Sequence, residues 1–326
     1  MDTNTSSPLL RLPLEIRLII YEYLLFPSAV PSSSHSTSVT NLLPNYHTYY
    51  SSDTNYDPFT LSVRTVDPYL TPQTSQGWRR RSTYHVRTGP FLTTTTPTTY
   101  RILFSPYTAH LRLTIPSLLS LNSQIHAEAS KVLYSTYTFA FSTAIEAVIP
   151  FLSDLTPIAR SAVRNLSITK KALPYAKEFD RAEWNAACGF LAKEMRMGLG
   201  LRHLMLNVVA GNPNTLTNPD VSDASDTPST EAQVEEEADS VTPLSAQDFA
   251  LLSRMRREWG TAYSLGVDLE WAEEVMAIRG LRKLSVKALV EHCPPPKSEG
   301  MKFWVAFSKS VERGFAEWVR GVMVEG

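Results

Sequence analysis

LRHLML, residues 201–206, returns at 163–168 as VRNLSI and at 281–286 as LRKLSV. Each copy reads apolar residue, arginine, polar residue, leucine, any residue, apolar residue. The alternation at the end of each copy has the period-two spacing of a half-buried strand, and each copy follows a stretch with helical spacing. Leu166 and Leu204 lie 38 residues apart, Leu204 and Leu284 80 apart, and the longer interval shrinks to about one repeat once an acidic loop is set aside. Helix–strand units recurring in this way predict a mixed α/β fold: a short parallel sheet with helices on one side, built from irregular leucine-rich-repeat-like units. Chance recurrence within an ordinary α/β domain is the competing explanation.

The segments between the copies fit that scheme. A helix is expected from Phe179 to Met197, with Trp184, Cys188, Leu191 and Met195 on one face and Gly198 and Gly200 in its closing turn. Residues 211–244, with NPNT and EAQVEEEADS, carry few large apolar side chains and are expected to form a disordered acidic loop. Residues 245–326 then hold the last repeat and a C-terminal helix. Ser245 and Asp248 have the spacing of a helix cap, a second helix runs to Arg279, and the final helix, 299–323, aligns Trp304, Phe307, Val311, Trp318 and Val322.

Upstream, residues 111–210 open with a helix predicted to start at Pro116 and to reach Tyr134, with Leu118, Leu121, Ile125, Ala129 and Val132 as its stripe. A β-type run follows at 137–141. Thr143 and Glu146 have capping-box spacing, Pro150 should shorten the helix they open, and Thr156-Pro157 restarts another. Residues 27–110 are rich in Ser, Thr, Pro and Tyr. They read as a partly disordered low-complexity insertion with short strand-like patches at 59–66, 83–87 and 100–104.

The totals restrict function. Lysine plus arginine number 31 against 32 aspartate plus glutamate, a formal charge of −1, which argues against a dedicated nucleic-acid or membrane-surface binder. The two cysteines, Cys188 and Cys293, form no metal-ligand pattern and fit a reducing compartment. The N-terminus lacks the basic and apolar regions of a signal peptide, and no uninterrupted apolar run reaches membrane-spanning length, so cytosol or nucleus is expected. No catalytic constellation is present: no Gly-x-Ser-x-Gly, no phosphate-cradling glycine loop, no His-Glu-x-x-His. Arg79–Arg81 beside Trp78 and Tyr84 read as a short basic loop, with Ser82 as a weak phosphorylation candidate. His126 is a boundary residue of a helix, and His292-Cys293 is a loop pair rather than half a zinc site. No cofactor or metal is expected.

Residues 9–26, LLRLPLEIRLIIYEYLLF, are unlike the rest. With Pro13 as the first helical position, Leu12, Ile16, Ile19, Ile20, Tyr23 and Leu24 share one sector. Leu14, Leu18, Tyr21 and Leu25 share a second, with Glu15, Glu22 and Arg17 in the gaps. A surface helix ordinarily shows one apolar stripe. Two stripes require a sandwiched helix, the second cover coming either from the same chain or from a partner.

The same stretch resembles the opening of an F-box, Leu-Pro-x-Glu-Ile followed by an Ile/Leu-rich helix, through Leu12, Pro13, Glu15, Ile16, Ile20 and Leu24. Residues 117–141 resemble the second half of a fungal F-box-like family through Gln124, Ile125, Glu128, Ala129, Leu133, Tyr134, Thr138, Phe139 and Phe141. On this resemblance, 1–26 and 111 onward are two halves of a split F-box-like helical N-terminus. The Asp-Leu and Cys-Arg-x-Trp elements of a full F-box are absent. The resemblance implies a non-enzymatic adaptor, the substrate-recognition subunit of a cullin-type ubiquitin ligase. It implies a Skp-type linker bound through Pro13, Leu14, Glu15, Leu18, Tyr21 and Leu25, and a protein substrate on the repeats. The alternatives are a stand-alone protein-binding scaffold with no ligase link and, third, an enzyme of unrecognised class.

Overall fold

A computed structural model describes residues 8–28, 57–66, 85–87, 93–97, 99–105, 107–142, 145–172, 178–212, 242–259, 269–292 and 299–324. The chain divides into two compact units, Met1–Leu166 with Gly198–Leu201, and Ser167–Met197 with Arg202–Gly326. Both mix helices with strands, which makes the fold class α/β.

The first unit opens with helix α1 (Leu14–Leu25) and strand β1 (Thr60–Val66). A two-stranded ribbon, β2 (His85–Arg87) and β3 (Thr93–Pro97), precedes β4 (Thr99–Leu103). Then come α2 (Leu111–Leu119), α3 (Ser123–Thr136), β5 (Thr138–Phe141), α4 (Val148–Asp154) and α5 (Pro157–Ala162). Its strands lie in the order β4-β1-β5. β1 runs antiparallel to β4, with Val63 opposite Ile102, and parallel to β5, with Leu61 opposite Phe139. Segment 27–110 is thus more than an insertion. The patches expected at 59–66 and 100–104 are sheet strands, and Leu61 and Val63 are buried in the core. The strands were visible as alternation, but their partner, β5, is too distant in sequence for a local pattern to reveal. Phe151 gathers that core, its ring centroid 4.9 Å from Phe139, 5.7 Å from Phe141 and 5.7 Å from Tyr100.

The helix expected to start at Pro116 is two helices. α2 begins at Leu111, because a turn over Thr108, Ala109 and His110 runs directly into it, their carbonyls accepting from Leu111, Arg112 and Thr114. The chain breaks at Ser120 and restarts at Asn122, whose side-chain oxygen accepts from the Gln124 N–H at 2.7 Å. Asparagine is among the favoured residues for that role. Leu118, Ile125 and Ala129 are buried as expected, whereas Leu121, in the break, is exposed. α5 begins as read from the sequence, with Pro157 in its first turn and the Thr156 hydroxyl accepting from Ala159 N–H. Thr143 lies outside the described residues. The Glu146 carboxylate, expected in a capping box, accepts from the Thr65 hydroxyl at 2.9 Å.

The second unit carries β6 (Asn165–Lys171, whose first residues belong to the first unit), α6 (Glu178–Arg196), β7 (His203–Asn212), α7 (Ala246–Trp259), α8 (Glu270–Val275) and β8 (Lys283–His292). α9 (Glu299–Ser310), one π-helical turn (Val311–Phe315) and α10 (Ala316–Met323) complete it. Its strands are ordered β6-β7-β8, and β7 and β8 are parallel. The three related sequences are these three strands. Leu204 stands opposite Leu284 and Leu206 opposite Val286, so two copies pair position for position. The leucines Leu166, Leu204 and Leu284 are all buried, as are Ile168, Leu206 and Val286 two places on. The apolar residue that opens each copy, Val163, Leu201 and Leu281, is buried too. On α6, Trp184, Cys188 and Leu191 form the buried face, and Gly198, just beyond the helix, takes φ 103°, a conformation that favours glycine.

Ser245 caps α7 as expected. Its hydroxyl and N–H both donate to Asp248 Oδ2 at 2.7 and 2.8 Å, and Asp248 N–H donates back to Ser245 Oγ at 3.3 Å. These bonds hold the Asp248 carboxyl below its ordinary range. The C-terminal helix departs from expectation in its last third. The π turn adds a residue to the helical path and rotates the positions beyond it. Phe315, Val319 and Met323 therefore take the inner face, leaving Trp318 half-buried and Val322 exposed. Gly314 allows the turn to sit against the start of α7, since a Cβ there would overlap the Leu244 carbonyl oxygen. Phe249 of α7 lies 5.5 Å from Phe315 and stacks on Trp318 at 5.8 Å. Residues 213–241, which hold nearly all of the acidic loop, lie outside the described residues, as do Arg79–Arg81, Ser82 and Cys293. Among the described residues no helix is long and apolar enough to cross a membrane.

Candidate functional site

Proline at residue 13 starts α1 without a side-chain cap, and Glu15 supplies the negative charge that suits the first turn. Twelve residues give a little over three turns, so two faces can be separated cleanly. The inner face is Arg17, Tyr21 and Leu25, at i, i+4 and i+8, all buried. Arg17 makes the inward orientation possible. Its Nε donates to Glu128 Oε2 at 2.9 Å and its Nη2 to Oε1 at 2.7 Å, a bidentate pair with a carboxylate on α3. Nη1 donates to the Leu12 carbonyl at 2.6 Å, tying the guanidinium to the start of its own helix. The Tyr21 hydroxyl donates to Glu128 Oε2 at 3.0 Å, and the Gln124 amide donates to Oε1 at 3.0 Å. Three side chains, through four hydrogen bonds, therefore converge on one carboxylate. The Arg17 hydrogen bond leads in holding the Glu128 carboxyl down to about 2, against the opposing effect of burial. Burial and the bond to Glu128 push the Tyr21 hydroxyl up. At the far end of the helix, the Tyr137 hydroxyl donates to the Leu25 carbonyl at 2.6 Å, and the ring chain Phe26, Phe59, Tyr137 runs at 6.0 Å steps.

This arrangement corrects the expected partner-binding set. Tyr21 and Leu25 are fully buried within the first unit and offer no surface to another molecule. Leu18 is half-buried, while Pro13, Leu14 and Glu15 are exposed. The surplus apolar surface lies on the opposite sector: Tyr23 is 88 % exposed, Ile19 60 % and Ile16 45 %, flanked by Leu12 and Leu24. Periodicity identified two faces but assigned them the wrong way round, because an arginine was counted as a gap residue rather than an inner one. The signal that points inward is Arg17 within an apolar run together with Gln124 and Glu128 one helical turn apart. Only the fold brings those segments together.

The Cys188 thiol is buried, and burial pushes it up, with Glu274 adding to the effect. A thiol so held is protonated and a poor nucleophile. Lys170 is buried with its ammonium 4.9 Å from the Trp184 ring centroid, a cation–π contact inside the core. Among the described residues no three His, Cys, Asp or Glu side chains gather as metal ligands. No family model, curated protein or solved structure matches the chain.

Proposed function

We propose that the chain is a non-enzymatic protein-interaction adaptor whose first helix docks a partner through Ile16, Ile19 and Tyr23. The observation that carries this reading is the exposure of those three side chains on a helix whose other face is already held by Arg17, Tyr21 and Leu25. Burying side chains of this size contributes about 1.5–3 kcal/mol each, enough to support specific association after ordering costs. The partner proposed from the F-box-like resemblance is a Skp-type linker of a cullin ubiquitin ligase, with the helix–strand units holding a protein substrate. The bidentate bond between Arg17 and Glu128 supports it, because it fastens together the two segments, 9–26 and 117–141, that carry the resemblance.

The test is capture of a purified Skp-type linker by the full chain. The wild type is expected to retain the linker, and Ile16→Asp combined with Ile19→Asp is expected to release it. Failure of the wild type to bind, or equal binding by the double variant, removes the ligase reading.

A further inference from the structure

The three related strands of the second unit turn one face to its helices. Lys170 of β6 lies over the Trp184 ring of α6. Trp271 of α8 meets Trp184 at 6.1 Å, Phe307 of α9 at 6.2 Å and Phe315 of the π turn at 5.4 Å, so these elements share one layer. Leu204, Leu206, Leu284 and Val286 are buried toward it. Side chains alternate in direction along a strand, so the residues between them face the other way. The Asn207 amide donates to the Ser167 hydroxyl at 3.0 Å and Lys287 stands opposite Asn207, which puts the odd-numbered positions of all three strands on this second face. Among its described residues Ser167 and Val209 are buried, whereas Lys171, His203, Met205, Lys283, Lys287 and Leu289 are exposed. His203 and Lys283 are the polar third residue of the repeated sequence, which therefore encodes this face as well as the core.

Its charge is one-sided. Lys171, Lys283 and Lys287 form no ion pair among the described residues, and no acidic side chain described there shares the face. Glu291, level with Gly211, closes the β8 row at the end away from Lys283. Lys283 and Lys287 lie four residues apart on one strand, about 13 Å. Met205 stands opposite Ser285 between them, and Leu289 follows two places on. Cation, apolar residue, cation and apolar residue thus succeed one another at two-residue steps, the period at which an extended chain presents one side. We infer that this face docks an extended acidic segment of a protein substrate, its carboxylates over Lys283 and Lys287 and its apolar side chains against Met205 and Leu289. Charge complementarity selects the partner, since unpaired cations on a face favour an anionic chain and repel a basic one. A nucleic acid is disfavoured because the formal charge of −1 supplies no wider basic field. The inference rests on the adaptor reading for the existence of a substrate, and adds where it sits and what it is made of.

The experiment titrates the peptide Glu-Ser-Leu-Ser-Glu-Ser-Leu-Ser-Glu, which reads the same in either direction, into the full chain while following backbone amide resonances by NMR. Saturable shifts are expected at Met205, Ser285 and Leu289, with Ile16 and Ile19 unmoved. Lys283→Glu combined with Lys287→Glu should weaken binding at least about tenfold, as two exposed ion pairs give way to repulsion. Added salt should weaken it too, and the same peptide with lysine in place of each glutamate should not bind. The inference is overturned by an absence of saturable binding to the wild type, by shifts confined to Ile16 and Ile19, by equal binding of the lysine peptide, or by undiminished binding to the double variant. A single-stranded oligothymidylate that binds the same lysines more tightly than the acidic peptide also overturns it. The wild-type titration and the lysine peptide decide the matter even if the variant fails to fold. No linker takes part, so failure removes the site on the sheet and leaves docking by α1 to its own capture assay.

Discussion

The helices at the two ends of the chain are both amphipathic, yet they dispose of their apolar surface in opposite ways. Along α9, the π turn and α10, the inner positions Trp304, Phe307, Val311, Phe315, Val319 and Met323 are buried, and the outward positions include Glu312, Arg313, Glu317 and Arg320. α1 turns an arginine inward against Glu128 and leaves Ile16, Ile19 and Tyr23 outside. In the C-terminal helix burial of apolar area accounts for the docking. In α1 a charged hydrogen-bond cluster and two buried side chains do, and the remaining apolar residues are not needed to hold it in place. A helix of the second kind keeps hydrophobic surface in reserve, and the adaptor reading rests on that reserve.

The contrast can be broken at either end. Phe315→Ala removes a fully buried ring from the aromatic cluster around Phe249, and denaturant unfolding should show a loss of about 3–5 kcal/mol, against no more than about 0.5 for Val322→Ala. Leu25→Ala should cost about 2–5 kcal/mol by the same assay, whereas Ile19→Ala on the outer face should stay within about 0.5. Equal losses at Leu25 and Ile19 would show both faces of α1 to be covered. Gly314→Ala, which forces a side chain against the Leu244 carbonyl, should cost about 1–3 kcal/mol and test whether the π turn needs that close approach.

Acid sharpens the comparison, because α1 is held by a carboxylate kept far below its ordinary range. Folding lowers the Glu128 carboxyl from an ordinary 4.5 to about 2. Between those values the unfolded chain binds the extra proton. The stability this group contributes is therefore fully present above about pH 4.5 and is lost as the pH falls toward 2. A Glu128→Gln variant should be less stable at neutral pH and show a shallower decline over that acid range in urea melts. The smallest effect belongs to the other unit, where Ser245→Ala should remove a helix cap worth about 1 kcal/mol.

Much of the fold was legible because it is local. The three related strands announced themselves by period-two burial, and the caps at Thr156 and Ser245 by residue type and spacing. The break before Asn122 carried an equally local signal that the run of apolar residues around it masked. What periodicity could not supply was phase and long-range partnership. A single π turn moved the C-terminal face from Trp318 and Val322 to Phe315, Val319 and Met323, and strand β1 gained its meaning only beside β5. Tyr21 and Leu25 of the expected partner-binding set were placed on the wrong face for the same reason. Both faces of α1 were found, but the inner one was fixed by a carboxylate 111 residues away.

The most direct test is the unfolding free energy of the isolated chain carrying Ile16→Asp and Ile19→Asp together. If the outer face of α1 is uncovered, the change amounts to helix propensity alone and stays within about 1 kcal/mol. A loss of about 3 kcal/mol or more would show that the chain itself covers this face, and the docking surface would be gone.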